Sequence, residues 1–317
     1  MKKIGLVNID TSHPMAFSRI MEENPQLDMQ YAMIYNDSFR GDDEVEWLIK
    51  KYNMLGRAES IEELADKTDI GFIQSCNWDD HIKEAMPFIE RGKPVFFDKP
   101  IAGSVKDIKK FRELEASGAK LLGASSARYA EEITEFLNQP VEERGEVVTV
   151  YCESGVDEFN YGVHAGEIIS AIAGAKAVSA KFAGRAKRDG AECDIYTVTF
   201  ENGVIGIYIT YLSGWRPFNI SIMTTTQNKL FVMDHSKIYY ELLLRISNYL
   251  KTGEMETADL ETLLNVSEFM LAAKRSRDFE GGREVNISEL QEDDAFSGAE
   301  FKKSYGAAAA KMYKDND

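Results

Sequence analysis

The residues best suited to chemistry begin with Asp98-Lys99-Pro100, which cuts off the apolar run Pro94-Val95-Phe96-Phe97. That run has the length and aromatic content of a buried strand. Pro100 fixes its own φ and pushes Lys99 into an extended conformation, so the amine is held at a strand end. In an open parallel sheet, ligands bind at the carboxyl ends of the strands. A lone amine there suits hydrogen bonding to a substrate hydroxyl or carbonyl; the bland alternative is a pair of solvated turn charges. A second candidate is His164, at the head of an apolar helix carrying Ile168, Ile169, Ala171 and Ile172. A neutral imidazole sharing a cleft with Lys99 can take the proton of a hydroxyl that the amine polarises, whereas packing or capping is its plain structural role. His13, in the loop after the first strand, suits either a helix-start hydrogen bond or a cationic partner for a phosphate or carboxylate. Trp215-Arg216-Pro217 pairs an aromatic with a cation in a loop, which suits stacking on a sugar as well as a plain turn. His235 reads as a surface residue.

The elements that must position these groups fall into two textures. Residues 3–9 read as a first strand, followed by Asp10-Thr11-Ser12-His13-Pro14, a helix start with capping side chains and a proline suited to the first turn. Strands over Met29–Tyr35, Ile70–Ser75 and Val95–Phe97 alternate with helices, among them Asp42–Tyr52, one opened by Ser60 and one over Val105–Ala116. This alternation predicts βαβ units and a doubly wound, parallel, Rossmann-like α/β sheet over residues 1–123. From 124 to 317 the pattern predicts an α+β domain on a mostly antiparallel sheet. Its strands are Val147–Cys152, Ala177–Ala183, Asp194–Phe200, Val204–Tyr211, Asn219–Thr225 and Lys229–Met233, with a hairpin signal at Glu201-Asn202-Gly203. Helices are expected over Gly162–Ile172, Ile238–Leu250 and Asp259–Arg277, and in the Ala-rich tail around Ala307–Lys311.

A first strand opening a helix is where a dinucleotide fingerprint belongs, with glycines where backbone crowds pyrophosphate. Here the three positions are Asn8, Asp10 and His13. Asn8 tolerates the left-handed backbone of a tight turn. Asp10 repels a pyrophosphate, by roughly 1 kcal/mol or more for a partly screened contact. The helix N-terminus with the Thr11 and Ser12 hydroxyls can still take an anion. Asp37 stands where an acid would meet the adenosine ribose.

Size and composition bound the rest. With 317 residues the chain is long enough for two cores. A formal net charge of −16 argues against nucleic-acid backbones and anionic membranes as partners. Cys76, Cys152 and Cys193 are too few for a disulfide framework and show no metal-ligand spacing, so no metal is expected. No stretch is long and apolar enough for a transmembrane helix, and no leader-like apolar region follows the N-terminus. A cytoplasmic, reduced protein is the expectation.

Three motifs together resemble one family. Asn77 with His81 follows the third strand, Asp98-Lys99-Pro100 follows the next, and Asn160-Tyr161-Gly162-Val163-His164-Ala165-Gly166-Glu167 opens the second domain. With Phe200-Glu201-Asn202-Gly203-Val204-Ile205-Gly206, this spacing is similar to that of the glucose–fructose oxidoreductase and inositol dehydrogenase (Gfo/Idh/MocA) family, up to about residue 290. The resemblance implies that Lys99 lies in the active site and that His164 is the acid/base, with Asn160 where members commonly carry a supporting Asp. Asn160 can orient a hydroxyl but cannot ionise. It further implies NAD or NADP as cofactor, with Asn77, His81 and Asp98 among the residues that bind it and His81 near the nicotinamide end. A polyhydroxy substrate would meet Arg128, Tyr161 and Trp215, and the antiparallel sheet would make a homo-oligomer. The expected activity is hydride transfer between nicotinamide and a sugar or cyclitol. The degenerate loop keeps open a non-redox lyase or isomerase, or a sugar-binding or regulatory protein.

Overall fold

The computed structural model describes residues 1–234 and 237–309; His235 and Lys311 lie outside them. Among the described residues no helix is long and apolar enough to cross a membrane. The first sheet holds β1 (Lys2–Val7), β2 (Met29–Tyr35), β3 (Gly56–Arg57), β4 (Ile70–Ile73), β5 (Val95–Phe97) and β6 (Leu121–Gly123). Their order is β3-β2-β1-β4-β5-β6, every pairing is parallel, and the order reverses between β1 and β4. β4 and β5 are buried along their whole length. Strands covered by helices on both faces need such unbroken apolar runs, which is why they are conspicuous in the sequence.

The covering helices are α1 (His13–Glu23), α2 (Asp42–Lys51), α3 (Ile61–Lys67), α4 (His81–Ile89) and α5 (Val105–Ala116). Ser60 and Ser104 start α3 and α5 by accepting the N–H of Glu63 and Asp107, which satisfies donors a helix leaves open. Gly71 lets α4 press against the sheet: a Cβ there would stand 2.7 Å from the Phe88 ring.

After α6 (Glu131–Asn138) and α7 (Val141–Arg144), the second sheet contains β7 (Val147–Ser154), β8 (Ala177–Arg188), β9 (Ala191–Phe200), β10 (Ile205–Tyr211), β11 (Asn219–Thr224), β12 (Asn228–Val232) and β13 (Val285–Asn286). The order is β12-β11-β7-β10-β9-β8-β13, antiparallel except for the β7–β10 pair. Alternate residues of β10 are buried, as a sheet covered on one face requires. The cover is α8 (Gly162–Ala173) and α10 (Leu260–Asp278). β8 runs past Ala183 to Arg188 because Asp189 and Gly190, both at positive φ, turn it directly into β9.

The chain crosses back over the expected boundary at residue 123. α9 (Ile238–Thr252) packs on α1, with Ser247 Oγ donating to the Leu27 carbonyl at 2.5 Å. Farther on, Trp78 Nε1 donates to the Phe296 carbonyl at 2.7 Å and Phe296 N to that of Gly103 at 2.8 Å. These bonds bring the last described helix, α11 (Gly298–Ala308), onto the first sheet's unit.

Candidate active site

The site begins where β5 stops. Asp98 Oδ1 accepts the Lys99 N–H at 2.8 Å, and the Lys99–Pro100 peptide is cis. The Lys99 amine reaches across to the second unit. It donates to the Asn160 carbonyl at 2.8 Å and to Asn160 Oδ1 at 3.1 Å, and it lies 5.2 Å from the centre of the Tyr161 ring. Burial lowers the Lys99 pKa, while the negative charges of Asp98 and Asp157 work to hold the proton on. α8 starts at Gly162, so Asn160 stands in the turn before the helix.

That turn is built by Asp157, which the sequence reading overlooked. Its Oδ1 accepts the N–H groups of Phe159 and Tyr161 at 3.0 and 3.1 Å; its Oδ2 is buried with no hydrogen-bond partner among the described residues. Burial raises the Asp157 pKa, opposed by those backbone bonds and by Lys99. The turn is pinned from behind by Glu158, which pairs with Arg277 at 2.5 Å and accepts from Tyr196 Oη at 2.7 Å.

His164 is buried beside this turn, its ring 5.7 Å from Tyr161 and 5.3 Å from Phe218. Tyr161 therefore has the Lys99 amine and the imidazole as neighbours. His164 Nδ1 lies 2.6 Å from Ser125 Oγ, which also accepts the Ala127 N–H at 3.1 Å. A hydroxyl thus orients this ring.

The other imidazole is differently equipped. His13 Nδ1 lies 2.5 Å from Asp98 Oδ2, and the ring stacks on Phe17 and meets the edge of Tyr239 at 5.4 Å. Nε2 of His13 makes no hydrogen bond among the described residues and is not sealed from solvent. Burial opposes ionisation of Asp98, yet the His13 ring, followed by Lys99, brings its pKa below the usual carboxylate value. The partner of His13 is thus a carboxylate of its own chain, and Asp98 accepts from the Lys99 N–H as well.

The first turn is held by side chains in place of glycines. Asn8 adopts φ 62°; its Oδ1 accepts the Asp37 N–H at 3.0 Å, and its Nδ2 donates to Ser75 Oγ and Glu84 Oε1, each at 2.9 Å. Burial pushes the Glu84 pKa up to about 8. Asp10 is fully buried, and its Oδ2 accepts the Cys76 N–H at 2.8 Å. Oδ2 is thus directed at the loop after β4, while Oδ1 is buried with no hydrogen-bond partner among the described residues. Thr11 Oγ1 accepts the His13 N–H at 3.2 Å, while Ser12 precedes α1 without a side-chain cap bond. Asp37 is exposed at the rim, with Tyr35 Oη donating to it at 3.3 Å.

Other expected site residues are bonded within the protein. His81 is wholly buried, its nitrogens 3.2 and 3.0 Å from the carbonyl oxygens of Ile101 and Ser75. It ties two strand-end loops together. Asn77 caps the turn after β4, accepting the Asp79 N–H at 3.3 Å and donating to Asp80 at 2.6 Å. Arg128 is turned toward Glu167, donating to its carbonyl at 3.1 Å, and lines a surface cavity of about 400 Å³ with Ser170 and Asp259 instead of the cleft. Trp215 is exposed in the loop before β11. Among the described residues no cluster of three His, Cys, Asp or Glu side chains is arranged to hold a metal ion.

Over the first turn lies α11. Its first two N–H groups, of Gly298 and Ala299, donate to the Asp79 carboxylate at 3.1 and 3.0 Å. Phe301 packs 5.2 Å from Trp78, Tyr305 lies 6.2 Å from Phe39, and Arg40 Nη1 donates to the Ala309 carbonyl at 2.9 Å. α11 thus connects the loop after β4 with the loop after β2.

No protein-family model matches this sequence, and no curated protein does. Solved structures do match. A probable dehydrogenase from Thermotoga maritima is similar at a TM-score of 0.76 and 14% identity, over 91% of this chain and 100% of that one. The scyllo-inositol dehydrogenase of Lactobacillus casei, solved with NAD(H) and scyllo-inositol, matches at 0.71 and 14%, over 91% and 99%. An oxidoreductase from Agrobacterium radiobacter, in complex with NAD+, L-tartaric acid and magnesium, matches at 0.73 and 15%, over 92% and 99%. The chain therefore has the fold of the Gfo/Idh/MocA-type dehydrogenases that its motifs resemble.

Proposed function

We propose that this protein is an NAD- or NADP-dependent oxidoreductase acting on a neutral polyhydroxy compound, a sugar or cyclitol. The observation that carries the reading is the Lys99 amine, delivered by β5 to Asn160 and Tyr161 of the second unit. It sits in a fold shared with a dehydrogenase solved with NAD(H) and scyllo-inositol. The backbone of the first turn fits a dinucleotide: Asn8 takes the left-handed conformation, and the α1 N-terminus has no side-chain cap from Ser12. Thr11, Ser12 and the N–H groups of α1 would hold the pyrophosphate, and Asp37 the ribose. The bound nicotinamide would accept or supply the hydride. Lys99 binds and polarises the reacting oxygen, Asn160 orients it, and His164 takes or returns the hydroxyl proton at Nε2.

A second reading is favoured by the His13–Asp98 dyad. An imidazole with Nδ1 on a carboxylate and Nε2 unbonded is set up as a base. In a lyase or isomerase, His13 Nε2 would remove a proton from carbon beside a carbonyl held by Lys99. Calorimetric titration with NADH and NADPH, followed by a screen of polyols with both oxidised cofactors, separates the two. The oxidoreductase reading expects saturable binding, and turnover that Lys99→Met lowers by about 100-fold or more with little change in melting temperature. Absence of binding by either cofactor refutes it in favour of the second reading.

The outer face of the second sheet supports a homo-oligomer. Leu230 and Val232 of β12 and Met223 of β11 are exposed on one side of it.

A further inference from the structure

We propose that α11 is an internal occupant of the dinucleotide crevice and has to swing out before a dinucleotide can enter; this rests on the oxidoreductase reading above. In a doubly wound sheet the crevice lies outside the carboxyl ends of the strands where their order reverses, here between β1 and β4. Its walls are the loops following β1, β2 and β4. α11 is attached to the second and third, and to the first through Arg40, which binds the Asp10 and Ala309 carbonyls together. On one side Asp79 caps its N-terminus and Trp78 packs on Phe301; on the other, Phe39 meets Tyr305 and Arg40 binds the Ala309 carbonyl.

Two glycines allow this close approach. A Cβ on Gly298 would stand 2.4 Å from Asn77 Oδ1 and 2.8 Å from the Trp78 nitrogen; one on Gly306 would stand 3.1 Å from the Phe39 ring. Burial of Tyr305 at the crevice is also felt by its phenol, whose pKa is pushed up to about 12.

The docking is also of a kind that can be undone. Apart from Gly298, no residue of α11 is fully buried, and Lys303, Ser304, Ala307 and Ala308 are exposed. α10, by contrast, is buried through most of its length and belongs to the core. Little apolar area holds α11, and elements that move are drawn from such weakly buried segments. Arg40 ties the end of the helix to the first turn: its Nε and Nη2 donate to the Asp10 carbonyl at 3.2 and 2.9 Å, and Nη1 is shared between the Ala309 carbonyl at 2.9 Å and Glu44 Oε1 at 3.3 Å. Helix and pyrophosphate compete for one space.

The test uses the full chain. Hydrogen–deuterium exchange of residues 298–309 is followed with and without saturating NADH or NADPH, with binding monitored by calorimetry. Gly298→Val, whose side chain must lift the helix from Asn77 and Trp78, is titrated in parallel. Expected are lost protection of α11 on cofactor binding and about tenfold tighter binding by Gly298→Val, because the competent state is no longer a minor fraction. Binding to both proteins with equal affinity and unchanged α11 protection overturns the gate and leaves the oxidoreductase reading standing. Should Gly298→Val fail to fold, the exchange experiment on the natural chain decides alone. If neither cofactor binds either protein, the oxidoreductase reading fails and the gate fails with it.

Discussion

Glu84→Gln isolates the charge buried beneath the first turn. Glu84 accepts from Asn8 Nδ2 and from Ser75 Oγ, so it supports the residue that replaces the first glycine. Burial, only partly offset by the Ser75 bond, moves its pKa from 4.5 to about 8. For a carboxyl raised in the fold, the native state binds more protons than the unfolded chain between those two values. Stability from this group is therefore fullest below pH 4.5, falls as pH rises, and is level again above about pH 8. At about 1.4 kcal/mol per pH unit, the loss between pH 5 and pH 9 is about 4 kcal/mol. Gln keeps an acceptor for Asn8 and carries no proton to lose, so Glu84→Gln should escape this slope. Urea melts of both proteins at pH 5, 7 and 9 measure it, the variant gaining on the natural protein by about 4 kcal/mol across the range. Two stability profiles that stay parallel would show that Glu84 is ionised throughout and that burial does not govern it.

Two further perturbations probe the frame around the site. Gly71→Ala should destabilise by about 1–3 kcal/mol, since its Cβ would stand within 2.7–2.8 Å of the Phe88 ring in a fully buried contact; an unchanged urea midpoint refutes the tight α4 packing. Leu230→Asp, at a residue 80% exposed on β12, should convert an oligomer to monomer in sedimentation velocity with the fold retained; an unchanged sedimentation coefficient means this face is not the interface.

How far the sequence reveals this molecule depends on the range of the forces involved. Val105–Ala116 is a helix as read, because Ser104 and Asp107 write its cap locally. β4 and β5 are legible because strands buried on both faces must be unbroken apolar runs. β3, two residues long, has no such pattern, and β8 is underestimated because its outer end, with Arg185, Lys187 and Arg188, is mostly solvent-facing. The site divides in the same way. Lys99 is marked by the proline after it and by family spacing. The His13–Asp98 bond joins residues 85 positions apart, and only the closed sheet shows it. His81 looks like a site residue in sequence and is a tie between two carbonyls in space. The Ala-rich tail points to a helix only around Ala307–Lys311, whereas α11 runs from Gly298 to Ala308; its start is written by Ser297, which caps Glu300, and its address lies in other elements.

The acid missing at position 160 has not left the site. Asp157 brings a buried carboxyl to the same turn, and Asp98 brings an ionised one to the base of Lys99, so the amine is set between two acids. Burial alone would favour the neutral amine; the two acids favour the cation, which is the form that polarises an oxygen. Asp98 is itself paired with His13 at 2.5 Å, so the direct partners of the amine are the two oxygens of Asn160. Charge bears on a dinucleotide as well. Its phosphates would meet a chain of net charge −16, and attraction at the first turn would come from the α1 N-terminus, which Ser12 leaves without a side-chain cap. The space for that contact is opened by the movement that carries α11 away.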